Sequence, residues 1–259
     1  MRSCIGLFYI ARPALPPLSR LVALLTLTSV LTLASGPALA QDDPDALYRN
    51  RADAAQARRA AAVWESRLTT DARDFDAAWK LARVCYWLGN HEAKEADRRK
   101  ALERGIEAGR IAVRVRDDRP EGHFWIAANM GTLAESFGLR QGLKYRGDIR
   151  RELEIVLRLD PAFQKGSADR ALGRWYFKVP GLFGGSNRKS EEHLRKSLTY
   201  DPNSTVSHYF LAETLFDMNR DAEAIEALKK VLSVPYDPEW EPEDREYRQK
   251  AAARLGVRS

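Results

Sequence analysis

Cysteine is nearly missing from this 259-residue chain, which has only Cys4 and Cys85. Cys4 lies in a segment expected to be removed, so Cys85 would stand alone and no intramolecular disulfide can form. It sits in the apolar run Val84-Cys85-Tyr86-Trp87-Leu88, where a buried small hydrophobe is expected. Histidine is sparse too. His91, His123, His193 and His208 are scattered, and none forms the i, i+4 pair with a nearby acid that a helical zinc site needs. No Gly-x-x-x-x-Gly-Lys-Ser/Thr loop follows a strand, which excludes a Walker phosphate site. No Ser, His and Asp set has a nucleophile-elbow context, so no catalytic residue, cofactor or metal ligand is expected. No segment alternates with period two long enough to be a strand. A strong excess of one charge is also lacking. The formal net charge is +6, and it falls to +3 without Arg2, Arg12 and Arg20. Arg and Lys otherwise interleave with Glu and Asp, as in 92–116, which describes a solvated helix surface. Such a balance excludes the clustered basic face of a nucleic-acid binder.

What the first forty residues do have is a positive start without any acid, an apolar stretch at 21–34, and Ala38-Leu39-Ala40 before Gln41. These are the parts of a cleavable secretory signal, and the apolar stretch is too short for a comfortable membrane span. An uncleaved anchor is the alternative. No cysteine follows the apolar run, so a lipoprotein signal is missing. The expected mature protein is residues 41–259, exported to the periplasm, without a transmembrane segment and long enough for one domain.

That domain repeats. Three segments end in an Asp-Pro-like turn: 151–161, 191–202 and 223–235. Their equivalent Leu157, Leu198 and Leu232 lie 41 and then 34 residues apart. The second interval is the tetratricopeptide (TPR) length, and the first adds a seven-residue loop. One helix pair cannot bury its apolar face alone, so the pairs must stack into a solenoid with a concave surface. The sequence predicts an all-α, TPR-like helical-hairpin solenoid of about four helix pairs, with N-terminal and C-terminal flanking helices.

Apolar spacing predicts one long helix at 43–70, then 75–89 stopped by Gly89-Asn90, and 92–116. Further helices are expected at 121–137, 145–159, 163–178, 187–200, 205–218 and 221–233. An extended acidic linker at 235–242 would lead to a polar capping helix at 243–255. Leu81-Ala82, Met130-Gly131, Leu172-Gly173 and Leu211-Ala212 align, and the small residue of each would let paired helices approach closely.

Two longer connections, 138–144 and 179–186, fall in the middle repeats. Gly184-Gly185-Ser186 before a helix could cradle an anion beside Arg188 and Lys189; a tight turn with a capping Ser186 or Asn187 is the plainer reading. His208 is expected to pack in the core and His193 to lie on a mostly solvated helix. Aromatic residues concentrate in the same repeats. Phe124, Trp125, Trp175, Tyr176 and Phe183, with the polar Asn129 and Arg174, are the candidate ligand or partner surface. Core packing is the default for such aromatics.

The stretch 122–131, Gly-His-Phe-Trp-Ile-Ala-Ala-Asn-Met-Gly, resembles the helix that opens the core of TRAP-transporter T-component proteins. Residues 171–176, the loop Pro180-Gly181-Leu182-Phe183-Gly184-Gly185-Ser186 and His193-Leu194 resemble their second hallmark. The likeness covers roughly 75–235. It implies a periplasmic TPR-like protein that associates with a solute-binding protein, with a hydrophobic cleft for apolar or organic-acid ligands and a homotrimeric assembly. The family type is a lipoprotein, and this chain departs from it in lacking the cysteine.

Two functional expectations follow. One is a non-enzymatic adaptor for a solute-binding protein. The other is a generic TPR scaffold for envelope proteins with no small-molecule site.

Overall fold

Short polar side chains fix where many of the helices begin. The carboxylates of Asp43, Asp53 and Asp74 accept the backbone N–H of Asp45, Ala55 and Ala77. The hydroxyl oxygens of Ser186 and Ser204 accept those of Lys189 and Ser207. Each satisfies a donor that the first helical turn leaves free. The computed structural model describes residues 43–256, and all regular structure in that span is helical. The signal segment expected at 1–40 lies outside the described residues, and the chain from Gln41 onward forms one unit.

The elements are α1 (Pro44–Arg49), α2 (Ala54–Thr70), α3 (Phe75–His91), α4 (Glu95–Val115), α5 (Pro120–Ser136) and α6 (Leu139–Leu159). Then come α7 (Phe163–Lys178), a 3-10 turn (Gly181–Phe183), α8 (Asn187–Tyr200), α9 (Thr205–Asp217), α10 (Asp221–Ser233) and α11 (Glu241–Leu255). Helices α3/α4, α5/α6, α7/α8 and α9/α10 form successive hairpins, so the chain is an all-α, TPR-like solenoid. Trp64, Leu81, Trp125, Leu133, Leu153 and Leu172 belong to one buried cluster running from α1 to α7. Leu194, Leu211, Leu215 and Leu228 belong to a second, under α8–α11.

Several boundaries differ from expectation. The long first helix is broken at 50–53, where Asp53 caps a new start. Gly89-Asn90 does not stop α3, which continues to His91. Gly89 is there for contact: a Cβ would lie 2.3 Å from the side chain of Leu102. The connection expected at 138–144 shrinks to Gly138, whose φ of 87° suits glycine, and α6 starts at once. The connection at 179–186 is real. Gly184 takes a φ of 104°, a Cβ on Gly185 would fall 1.6 Å from the Val179 carbonyl oxygen, and Ser186 caps α8. That loop is therefore the tight, capped turn.

The expected close approach at the aligned small residues holds at Gly173, where a Cβ would meet Leu194 at 2.5 Å. It fails at Gly131, which has nothing within 4 Å. Helix α11 is also more than a cap. The half-buried Glu243 and the carbonyl of Glu239 accept from Arg51, a buried guanidinium just after α1. Glu246 pairs with His91 at the end of α3. The C-terminal segment thus reaches back to the first helices.

Candidate functional site

The space beside Gly131 opens into a cavity of about 670 Å3, lined by α3, α5, α6, α7, α9 and α11. Its apolar wall includes Phe124, Trp125, Trp175, Phe210 and Tyr247. These rings are positioned by the same packing that builds the core. Trp125 is 1% exposed and packs at 5.6 Å from Tyr86. The Trp175 indole N–H donates to the Arg146 carbonyl oxygen at 2.9 Å, which ties α7 to α6. Tyr247 meets Phe210 edge to face at 5.6 Å, bringing α11 onto α9. Burial pushes the Tyr86 phenol up to about 12 and raises that of Tyr247 further, so both stay neutral.

Charged groups span the cavity rather than avoid it. Arg174 donates to Glu135 on α5 at 2.8 and 3.1 Å and to Glu213 on α9 at 2.6 Å. Burial works against its charge, but the two carboxylates more than restore it, and its pKa is raised. Lys165 pairs with Asp237 at 2.6 Å. Asp244 holds the segment before α11 in place, accepting from the Thr205 hydroxyl at 2.5 Å and the Asp237 N–H at 2.8 Å.

Of the residues singled out in the sequence, Phe124, Trp125, Arg174 and Trp175 line the cavity together. The other three lie elsewhere. Asn129 is fully buried and donates its amide N–H groups to the carbonyls of Ala82 and Trp125 at 3.0 and 2.7 Å. It clamps α5 to α3. Tyr176 is buried and stacks on His193, with ring centres 5.4 Å apart. Phe183 is 38% exposed in the 3-10 turn, under the Arg146 guanidinium.

The histidines also depart from expectation. His193 is half-buried and bonds the buried Asp169 at 2.8 Å, so it is not simply solvated. His208 is half-buried and bonds the Pro202 carbonyl of its own turn at 2.9 Å. Cys85 is buried, as its apolar run predicts, and burial pushes its thiol up to about 12. It is therefore a thiol and not a nucleophilic thiolate. Among the described residues no cluster of three or more His, Cys, Asp or Glu could hold a metal ion, and no helix is long and apolar enough to cross a membrane.

Sequence reasoning missed Gln164, Arg170 and Tyr247. Arg170 follows the small-residue run Gly166-Ser167-Ala168 one turn before Arg174, a spacing that puts both on one face of α7. Tyr247 reads in sequence as part of a polar cap because its helix is otherwise charged.

The helical architecture matches solved structures. The thermophilic TPR protein TTC0263 of Thermus thermophilus superposes with a TM-score of 0.63 at 20% identity, over 84% of this chain and 100% of that one. MamA gives a TM-score of 0.48 at 14% identity, over 81% of this chain and 98% of that one. The first likeness shows the TPR fold; at such identity neither transfers a function. Comparison with curated proteins gave no match. The family model that matches differs from the T-component family. It covers residues 42–183, from α1 through the 3-10 turn, and by that match the chain belongs to the family of regulator of microtubule dynamics protein 1-3.

Proposed function

We infer that the chain is a non-enzymatic interaction scaffold that holds a partner protein against its cavity-bearing face. One observation carries this reading. The repeat scaffold leaves an aromatic cavity open between α5 and α7, although the α4–α5 seam of the same scaffold is shut. Fixed backbone geometry and the ion pairs of Arg174 and Lys165 make this a preformed recognition surface. The leader features at 1–40 support a periplasmic location. The segments 122–131, 171–176 and 180–186, with His193-Leu194, support a solute-binding protein of a TRAP-type transport system as the partner, with a homotrimer as the assembly state.

Affinity capture from envelope extract with protein beginning at Gln41 tests this reading. Near-stoichiometric recovery of a solute-binding protein is expected, with retention reduced about tenfold or more by Phe210→Ala, which removes one ring of the wall. Envelope-assembly proteins without any solute-binding protein would establish the generic scaffold instead. The matched family supplies a second reading, a microtubule-associated role. Co-sedimentation with assembled microtubules decides it directly.

A further inference from the structure

Arg170 and Arg174 are one helical turn apart on α7, line the same cavity, and are treated in opposite ways. Arg174 has Glu135 and Glu213 as partners. Arg170 has no acceptor within hydrogen-bond or ion-pair distance among the described residues. Asp201, Glu243, Tyr86 and Tyr247 act on it only through space, and burial lowers its pKa. A guanidinium carries five N–H donors and cannot escape its charge by losing a proton. Arg170 is half-buried, so its guanidinium gives up part of its hydration without gaining a hydrogen bond, and the through-space carboxylates offset only part of that cost.

Two other cavity residues are unsatisfied in complementary ways. The Gln164 Oε1 atom is buried with no donor, and the Trp125 indole N–H is buried with no acceptor. Gln164 is also held in an unusual backbone state. Gln164, Lys165 and Gly166 have φ values of 43, 57 and 76°, three left-handed residues in succession, two of them with side chains. Such a conformation is costly for each non-glycine residue and survives only where the surroundings impose it. Here the Lys165–Asp237 pair and the close packing of Gly166 on Tyr200 hold it.

We propose that Arg170 and Gln164 form the polar end of a peptide-binding subsite, in which Arg170 takes a carboxylate of the partner and Gln164 Oε1 accepts one of its backbone N–H groups. This rests on the scaffold reading and names the chemistry that the partner presents. The charge pattern favours a carboxylate over a phosphate. Arg174 and Lys165 are already neutralised by ion pairs, and Arg146 donates to the Leu143 carbonyl and lies over the Phe183 ring, which leaves Arg170 as the open guanidinium, matched in charge and fork geometry by one carboxylate. Glu243, Asp201 and Asp244 also line the cavity and would repel a phosphate dianion about twice as strongly as a singly charged carboxylate. An unsatisfied acceptor lining the same cavity as the cation suits a peptide, which carries backbone N–H donors as well as its carboxylate. An alkyl chain carries none.

Trp125, Trp175 and Trp240 line the cavity and give a fluorescence readout. The probes are acetyl-Leu-Leu-Phe-Leu with a free carboxyl end, the same peptide as its C-terminal amide, and dodecyl phosphate. The free acid should bind saturably and about tenfold or more tighter than the amide, the scale of one charge-assisted hydrogen-bond pair. Arg170→Gln should abolish that ratio and Lys178→Gln, at another cavity cation, should preserve it. Gln164→Leu should weaken acid and amide alike. Circular dichroism melts confirm that each variant is folded, and Arg170→Lys, which keeps the charge, should retain part of the preference.

Equal binding of acid and amide overturns the proposal, as does a ratio that survives Arg170→Gln. So does an absence of saturable peptide binding up to roughly 1 mM, or binding of dodecyl phosphate alone through Arg170. The scaffold reading stands or falls separately. If a captured partner is retained normally by Arg170→Gln but lost on Phe210→Ala, the carboxylate subsite is wrong and the interaction surface is right.

Discussion

The two seams flanking α5 are built in opposite ways. Towards α3 and α4 the seam is closed by backbone approach. A Cβ on Gly105 would fall 2.3 Å from Asn129 Oδ1, one on Gly109 2.6 Å from Ile126, and one on Gly122 2.9 Å from Val113. Towards α6 and α7 the glycines stand free: Gly131 and Gly147 have nothing within 4 Å, and Gly142 only a carbonyl at 3.7 Å. There α7 is held across a gap, to α5 by the Arg174–Glu135 pair and to the segment before α11 by the Lys165–Asp237 pair. Glycine in a helix costs stability wherever it stands. On the first side that cost is offset by tight packing; on the second it leaves room. The lesson is that a repeat scaffold can place a pocket by where its small residues are left unopposed.

The largest expected effect falls on the ion pair that joins α11, one wall of the open side, to the segment after α1. Arg51→Ala leaves Glu243 half-buried without its partner, and loss of about 3–5 kcal/mol is expected, as for a broken buried pair. Urea denaturation measures it. A loss below about 1 kcal/mol, as for a surface pair, would mean that the open seam does not depend on its bridging charges.

A matched pair of substitutions tests the contrast itself. Gly105→Ala forces a methyl group onto Asn129, which is already clamped by two hydrogen bonds, and should cost about 2–3 kcal/mol by overpacking. Gly131→Ala meets nothing and should be neutral, or stabilising by up to roughly 1 kcal/mol through helix propensity. Equal effects at the two sites in denaturation midpoints would erase the distinction between the seams.

The hairpins were legible because their turns are local. Asp160 and Asp201 end α6 and α8 in extended conformation just before proline, as the repeated Asp-Pro predicts. The start of α6 was hidden because glycines at 138 and 142 suggest a loop when read alone, whereas only Gly138 has a positive φ. Part of the site was legible for a similar reason: Phe124, Trp125, Arg174 and Trp175 sit on strongly patterned helices. The rest depends on distance. Asn129 reads as a polar ligand group on an apolar helix, and becomes a clamp only because the Ala82 carbonyl of α3, 47 residues away, comes within 3.0 Å. Arg170 and Arg174 are indistinguishable in sequence, since their difference lies in Glu135 and Glu213, each 39 residues from Arg174. The reach of α11 to Arg51 spans 192 residues and leaves no local pattern.

The smallest effect is a pH dependence confined to the bridged side. His91 stacks on Trp87 at 3.6 Å, bonds the Trp87 carbonyl at 2.7 Å and pairs with Glu246 Oε1 at 2.5 Å. Burial opposes the imidazolium, but the hydrogen bond to Glu246 outweighs it and raises the His91 pKa. Burial likewise opposes the carboxylate, and His91 overcomes it to lower the Glu246 pKa. A raised histidine pKa gives stability that is complete below its ordinary value, about 6.5, and is lost as pH rises through the folded value. A lowered carboxylate pKa gives stability present above its ordinary value, about 4.5, and lost as pH falls through the folded one. The α3–α11 link should therefore be strongest between about pH 4.5 and 6.5 and weaken towards pH 8. Global stability is a poor readout, because burial lowers the His208 pKa and its contribution runs the other way. Hydrogen exchange separates them. Once corrected for intrinsic rates, amides of α11 should exchange faster at pH 8 than at pH 6, while those of α3–α5 at the closed seam stay unchanged. In His91→Gln the α11 difference should vanish; if it persists there, the pair does not hold the C-terminal helix across the open side.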